Sequence, residues 1–190
     1  MQGLAAYLST ASPITWLVFG VLSLYFIAIL WIFIDRYRYL SKWLAREQAA
    51  TEAFLMGSRN ISESPALSGC IKRAGKLSRP VLDTCLQASA KESSVGLTIL
   101  SIVSSTSPFV GLFGTVVSIL DSFAKMGGQH VTMAVMAPAI SEALIATAIG
   151  IFVAIWAYTF HLLLKRRAYE VMTYISMQIN MILAHETSEL

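Results

Sequence analysis

Three long apolar runs divide this chain, and the polar stretches between them differ sharply in charge. The first run, Pro13 to Ile34, holds 22 residues without a charge and ends at Asp35-Arg36. A bilayer core about 30 Å thick takes about 20 residues of helix, so this run predicts a transmembrane helix over 13–34. No Gly or Pro interrupts Val21–Met56, and Leu40, Trp43, Leu44, Phe54 and Leu55 form an apolar stripe, so the helix is expected to continue to near Gly57. Residues 57–79 are punctuated by Gly57-Ser58, Ser64-Pro65, Ser68-Gly69 and Gly75, the composition of a loop or short helical turns. Pro80 suits the first turn of the next helix, where its missing N–H leaves no bond unmade. That helix is expected to run through 81–94 directly into the second apolar run, giving a second span over 94–120. A polar turn over 121–134 contains Gly127-Gly128 and leads to a third span over 135–164. Past Lys165-Arg166-Arg167, the positions Tyr169, Met172, Ile175, Ile179 and Ile182 keep helical spacing, so a helical tail is expected over 165–190.

The second and third runs are less uniformly apolar than the first. Ser104, Pro108, Gly111, Thr115, Ser118 and Ser122 recur at spacings of 4, 3, 4, 3 and 4, which puts small and hydroxyl residues on one helix face. Ala143, Thr147, Gly150, Ala154 and Ala157 do the same in the third run. Lipid gives no reason for such faces; close helix packing or a wet pore does. The two stripes lie on successive antiparallel helices and are read as facing each other or a shared cavity. Pro108 cannot bond to the carbonyl of Ser104, which predicts a bend there. Three spans that leave polar groups over favour a homo-oligomer, a ring around an axis.

Composition supports this reading. Charged residues make up 13% of the 190, against about 25% in a soluble domain, so an integral membrane protein is expected. Ten Lys and Arg lie in 35–93 and three in 165–190, against one in the turn 121–134 and none in 1–12. The positive-inside rule then places the long loop and the tail in the cytoplasm and the N-terminus and turn outside. The first run is too long for an ordinary signal-peptide core, and no small-residue cleavage site follows it. Cys70 and Cys85 are fifteen residues apart, a spacing that matches no metal or redox motif. In a cytoplasmic loop both are expected to be reduced and inert.

Glu142 is the residue most in need of an explanation. It stands inside the third run with no Lys or Arg within four residues on either side. An ionised side chain at bilayer depth costs roughly 2.5 to 3.5 kcal/mol on insertion scales, so an acid there is a candidate functional site. Desolvation favours its protonated form, and a proton arriving or leaving switches its charge. The bland alternative is an acid at the outer headgroups, just after Pro138. Thr115 and Thr147 taken singly would each bond their own i−4 carbonyl; paired near Glu142 they could line a hydrated path. His161 fits an interfacial role, Asp121 and Lys125 a weak exposed ion pair, and the methionines and phenylalanines a lipid-facing surface. No phosphate loop, nucleophile triad or metal-ligand cluster is visible, and neither covalent catalysis, a cofactor nor nucleic acid is expected.

SPFVGLFGTVVSILDSF (107–123), the short turn, and VMAPAISEALIATAIGIFVAI (135–155) resemble the ExbB/TolQ/MotA proton-channel family, in particular its ExbB/TolQ branch. The resemblance covers about 50 contiguous residues, with the first part of the chain adding topology but little motif. It implies a pentameric ring in the bacterial inner membrane, N-terminus periplasmic and C-terminus cytoplasmic. The ring would surround a single-span partner of the ExbD or TolR type that carries a membrane Asp. Proton flow would drive movement that is passed to a TonB- or TolA-like protein. The family's pore glutamate matches Glu142 and its pore threonines match Thr115 and Thr147. Ala139 and Ser141 replace the usual Gly and Ala, Trp156 stands where proline is common, and Asp121 stands where His or Asn is usual. Two rival readings are a passive oligomeric scaffold and a flagellar-type stator; the latter typically has four spans and charged rotor-facing residues.

Overall fold

The computed structural model describes residues 13–56, 64–74, 78–124 and 133–188. They form five helices: α1 (Pro13–Leu55), α2 (Pro65–Ala74), α3 (Arg79–Ser93), α4 (Leu97–Ala124) and α5 (Met133–Ser188). Three of them, α1, α4 and α5, are long and apolar enough to cross a membrane. Only 17–33% of the most apolar stretch of each is buried, so most of that surface must be covered by lipid or by other chains.

The expected continuous helix from Pro80 to Leu120 is two helices. α3 opens after Ser78, which is extended at φ −153°, with Pro80 in its first turn, and ends at Ser93. Gly96 has φ 85°, the left-handed conformation that follows many helix ends. A lone glycine at the head of an apolar run is a weak breaker; the break is fixed by tertiary contacts. Arg36 donates to the main-chain oxygen of Glu92 at 2.6 Å, occupying a carbonyl in the last turn of α3. A Cβ on Gly96 would lie 3.2 Å from Cγ2 of Ile32 and 3.3 Å from Cγ of Arg36.

The chain divides into two compact units, Met1–Trp31 with Ile99–His161, and Ile32–Thr98 with Leu162–Leu190. In the first, Val18, Leu22 and Ile29 of α1 and Ala146, Val153 and Ala157 of α5 are buried. Phe26 of α1 meets Phe152 of α5 with ring centroids 5.9 Å apart.

In the second unit, Leu40, Trp43 and Leu44 of α1 are buried, as the sequence pattern predicts, together with Ala50; Leu55 is exposed. On α5 the buried stripe is Leu164, Ala168, Val171, Ile175, Gln178 and Ile179, so Tyr169 is exposed and Met172 and Ile182 sit at the margin. This stripe includes Gln178, which meets a buried acid. Glu47 on α1 is fully buried. Its carboxylate accepts bonds from Trp43 Nε1 (3.0 Å), Ala66 N–H (3.1 Å), Ser64 Oγ (3.0 Å) and Gln178 Nε2 (3.0 Å). Gln178 Nε2 also reaches the Glu47 carbonyl at 3.1 Å and Thr51 Oγ1 at 3.0 Å. Four donors from three elements replace a counter-ion, and the carboxylate caps the N-terminus of α2.

Cys70 and Cys85 are a disulfide and not two separate thiols. Packing of α2 on α3 brings their Cα atoms to 5.7 Å, inside bonding range, a proximity that spacing along the chain does not encode. Nearby, Tyr39 donates to the Glu92 carboxylate, and that bond, with burial and the negative charge of Glu92, holds the Tyr39 hydroxyl above its ordinary value of 10.0. Arg36 and Arg46 oppose the shift.

Candidate functional site

The site begins with a seam of small residues in the first unit. On α4 the buried positions are Leu100, Val103, Ser107, Gly111, Gly114 and Ser118. On α5 they include Ala143, Ala146, Val153, Ala154 and Ala157, with Gly150 also buried. The closest approach is glycine against glycine. A Cβ on Gly111 would stand 2.8 Å from the Ala146 carbonyl oxygen and 3.0 Å from Thr147 Cα. One on Gly150 would stand 2.7 Å from the Ser107 oxygen and 3.0 Å from Gly111 Cα. The two backbones are therefore in van der Waals contact, which only a missing Cβ on each side permits.

That contact brings Thr115 and Thr147 together. Their hydroxyls hydrogen-bond to each other, and both side chains are half-buried at the edge of the seam. Thr115 Oγ1 lies 3.2 Å from its own i−4 carbonyl at Gly111 and 3.3 Å from the Ala143 carbonyl of α5. Thr147 Oγ1 lies 3.3 Å from the same Gly111 carbonyl. Each hydroxyl carries a single proton, so the two cannot satisfy all these acceptors at once. Rotation of both O–H groups together reverses which threonine donates to the other. Such a pair can pass a hydrogen bond along without moving its backbone.

The other predicted residues divide. Gly111, Ser118, Ala143, Gly150 and Ala154 are buried at the seam, while Ser104 and Pro108 sit at its half-exposed margin. The Ser104 hydroxyl bonds the Ser101 carbonyl of its own helix at 2.8 Å. α4 runs through Pro108 without ending. Glu142 lies in α5 immediately before Ala143, and its side chain, like those of Pro138 and Ala139, is outside the described residues. So is Lys125, and with it the expected Asp121–Lys125 pair. Trp156 lies in unbroken helix, its ring 5.7 Å from Phe160 and 6.2 Å from Phe152. Two small residues on the α4 side of the seam are not in the stripe read from sequence. Ser107 is fully buried, and a Cβ on Gly114 would meet Val18 Cγ1 at 3.0 Å, so Gly114 admits α1 to the crossing. The spacing 107, 111, 114, 118 carries the signal; the 104–108 branch of the same pattern obscures it.

Residues 61–177 match the MotA/TolQ/ExbB proton channel family, and this match contains the whole α4–α5 crossing. The chain belongs to that family. It is 38% identical over 188 residues to a Helicobacter pylori protein named as ExbB-like 1, a biopolymer transport protein, covering 96% of this chain and 97% of the relative. It is 47% identical over 75 residues to the biopolymer transport protein ExbB of Pseudomonas putida, 39% of this chain and 23% of the relative. It is 58% identical over 60 residues to the Tol-Pal system protein TolQ of Pseudomonas aeruginosa, 31% of this chain and 26% of the relative. These similarities fall on the ExbB/TolQ branch, and they tie the chain to energy transduction at a membrane.

Proposed function

We propose that this chain is the proton-channel and stator subunit of an inner-membrane complex that turns proton-motive force into work on the outer membrane. In this reading it forms a homopentameric ring around a single-span partner of the ExbD or TolR type, and the work passes to a TonB- or TolA-like protein. Glu142 is the proton-switching group, and Thr115 and Thr147 are its polar neighbours along the path. The observation that carries the reading is the hydroxyl pair held at the glycine crossing. Thr115 reaches the carbonyl of Ala143, the residue next to Glu142. Thr147 follows Glu142 by five residues, an axial rise of about 7.5 Å. One proton crossing 100 mV releases about 2.3 kcal/mol, enough to shift a two-state element when several protons act together. The large outward-facing apolar surface of the three spans supports assembly in lipid with further copies.

Glu142→Gln keeps the shape and removes the titratable group. In membranes that also hold the partner subunit, it should abolish proton flux and energy transduction while the oligomer, followed by crosslinking, stays intact. Full transduction with Glu142→Gln would instead make the chain a scaffold.

A further inference from the structure

The disulfide of the second unit has no part in the proton path. Cys70 on α2 and Cys85 on α3 form one wall of an open cavity of about 750 Å³. The α1 wall of this cavity carries Lys42 and Arg46, one helical turn apart, with Tyr39 and Trp43 between and beside them. Among the described residues neither Lys42 nor Arg46 is in an ion pair; the pairs there are those of Arg166 and Arg167 with Glu170. The cavity's acid, Glu92, is already engaged by Tyr39 through its carboxylate and by Arg36 through its carbonyl. Two exposed cations therefore stand beside a disulfide, with no ion pair to an acid among the described residues.

The two sulfur-bearing residues are unequal. Cys85 is 1% exposed, whereas Cys70 is only half-buried. Thiol–disulfide exchange requires access to the attacked sulfur, so Cys70 is the reachable end. We propose that the cavity is an exchange site for a small anionic thiol. The incoming thiolate attacks Cys70 Sγ and forms a mixed disulfide, the Cys70–Cys85 bond breaks, and its electron pair leaves on Cys85 Sγ. A second thiolate attacks the small thiol's own sulfur in the mixed disulfide and releases the Cys70 thiolate. The two cysteine thiolates take protons from water, so one protein disulfide is reduced as two small thiols are oxidised to their disulfide. Lys42 and Arg46 draw the anion in and offset the charge of the departing thiolate. The exchange removes the covalent tie between α2 and α3, and α2 then stays on α1 through the bonds of Ser64 and Ala66 to Glu47. In the orientation that the positive-inside rule predicts, this segment is cytoplasmic, where such thiols form the redox pool. The chemistry itself does not depend on that orientation or on proton conduction.

The test uses the full chain purified in detergent without reductant. Glutathione (anionic) and cysteamine (cationic) are compared at equal thiolate concentration, and intact-mass spectrometry follows the mixed disulfide and the freed thiols. Glutathione should react at least about tenfold faster at low salt, the scale of electrostatic steering into a charged cleft, and the ratio should fall towards one at high salt. The double variant Lys42→Gln/Arg46→Gln should lose the same preference, and the adduct should map to Cys70. Equal rates for the two thiols at low salt, an adduct on Cys85, or two cysteines that alkylate before any thiol is added would each overturn the proposal.

Discussion

Gly111 and Gly150 decide what Thr115 and Thr147 can do. The hydroxyls meet because the two backbones touch, and a methyl group on either glycine must displace a backbone oxygen now less than 3 Å from its place. Gly150→Ala should therefore destabilise the α4–α5 crossing by roughly 1–3 kcal/mol, the usual cost of overpacking, seen as a lower thermal midpoint in detergent. Thr147→Val tests the hydroxyl without changing the shape. Losing one net hydrogen bond, about 0.5–1.5 kcal/mol, predicts a roughly two- to tenfold fall in proton flux with the oligomer unchanged. Unchanged flux would leave Thr147 as a packing residue. The threonines and both glycines were legible in the sequence as members of small-residue stripes. Ser107 and Gly114 were not, because two helical branches, 104–108 and 107–111, satisfy the same spacing, and the choice between them is made by packing, Ser107 against Gly150 of α5 and Gly114 against Val18 of α1.

Helix ends and helix rotations were harder to read than helices. α1 continues past its apolar run because nothing in Val21–Met56 stops it, and that is visible in one dimension. The break at Gly96 is not, since it depends on Ile32 and Arg36 arriving from 60 residues or more away. Nor is the rotation of the α5 tail, which turns Gln178 onto Glu47. Replacing that acid by Leu would leave Trp43 Nε1, the Ala66 N–H and the Ser64 hydroxyl without their acceptor, while Gln178 Nε2 keeps the main-chain carbonyl of residue 47 and Thr51 Oγ1. Each buried donor left unsatisfied costs about 1–3 kcal/mol, so Glu47→Leu should cost at least about 3 kcal/mol despite adding an apolar side chain. The expected readout is early proteolysis within 57–79 together with a lower unfolding midpoint. The α1–α3 contact has its own pH signature. The Tyr39 hydroxyl is held above its ordinary 10.0, chiefly by its bond to Glu92, so the folded state binds that proton more tightly than the unfolded chain does. Its contribution is fully present below pH 10 and is lost as pH rises through the raised value. Tyr39→Phe should flatten this alkaline loss of stability in a melting series from pH 8 to 11 and leave the neutral range with only the small deficit of one exposed hydrogen bond.

A chain that exposes Phe109, Phe113, Leu144 and Trp156 along its spans presents a surface that lipid or other chains must cover. Which way it sits in that lipid is a separate question, and charge is the evidence for it. Thirteen of the fourteen Lys and Arg lie in the two polar segments 35–93 and 165–190, and each basic residue near an anionic cytoplasmic leaflet contributes about 1 kcal/mol. A single crossing by α5 would place the tail and the segment before α5 on opposite faces. Asn180 is exposed on the tail helix, and Gln129 belongs to that segment. A membrane-impermeant maleimide should label Asn180→Cys in inside-out vesicles and Gln129→Cys in right-side-out ones, each compared with the unsubstituted chain to subtract Cys70 and Cys85. The reverse pattern would put the basic segments outside and remove the orientation on which the proposed proton path depends. Labelling of both positions from one side would show an even number of spans between them, and with it a fold other than one helix per apolar run.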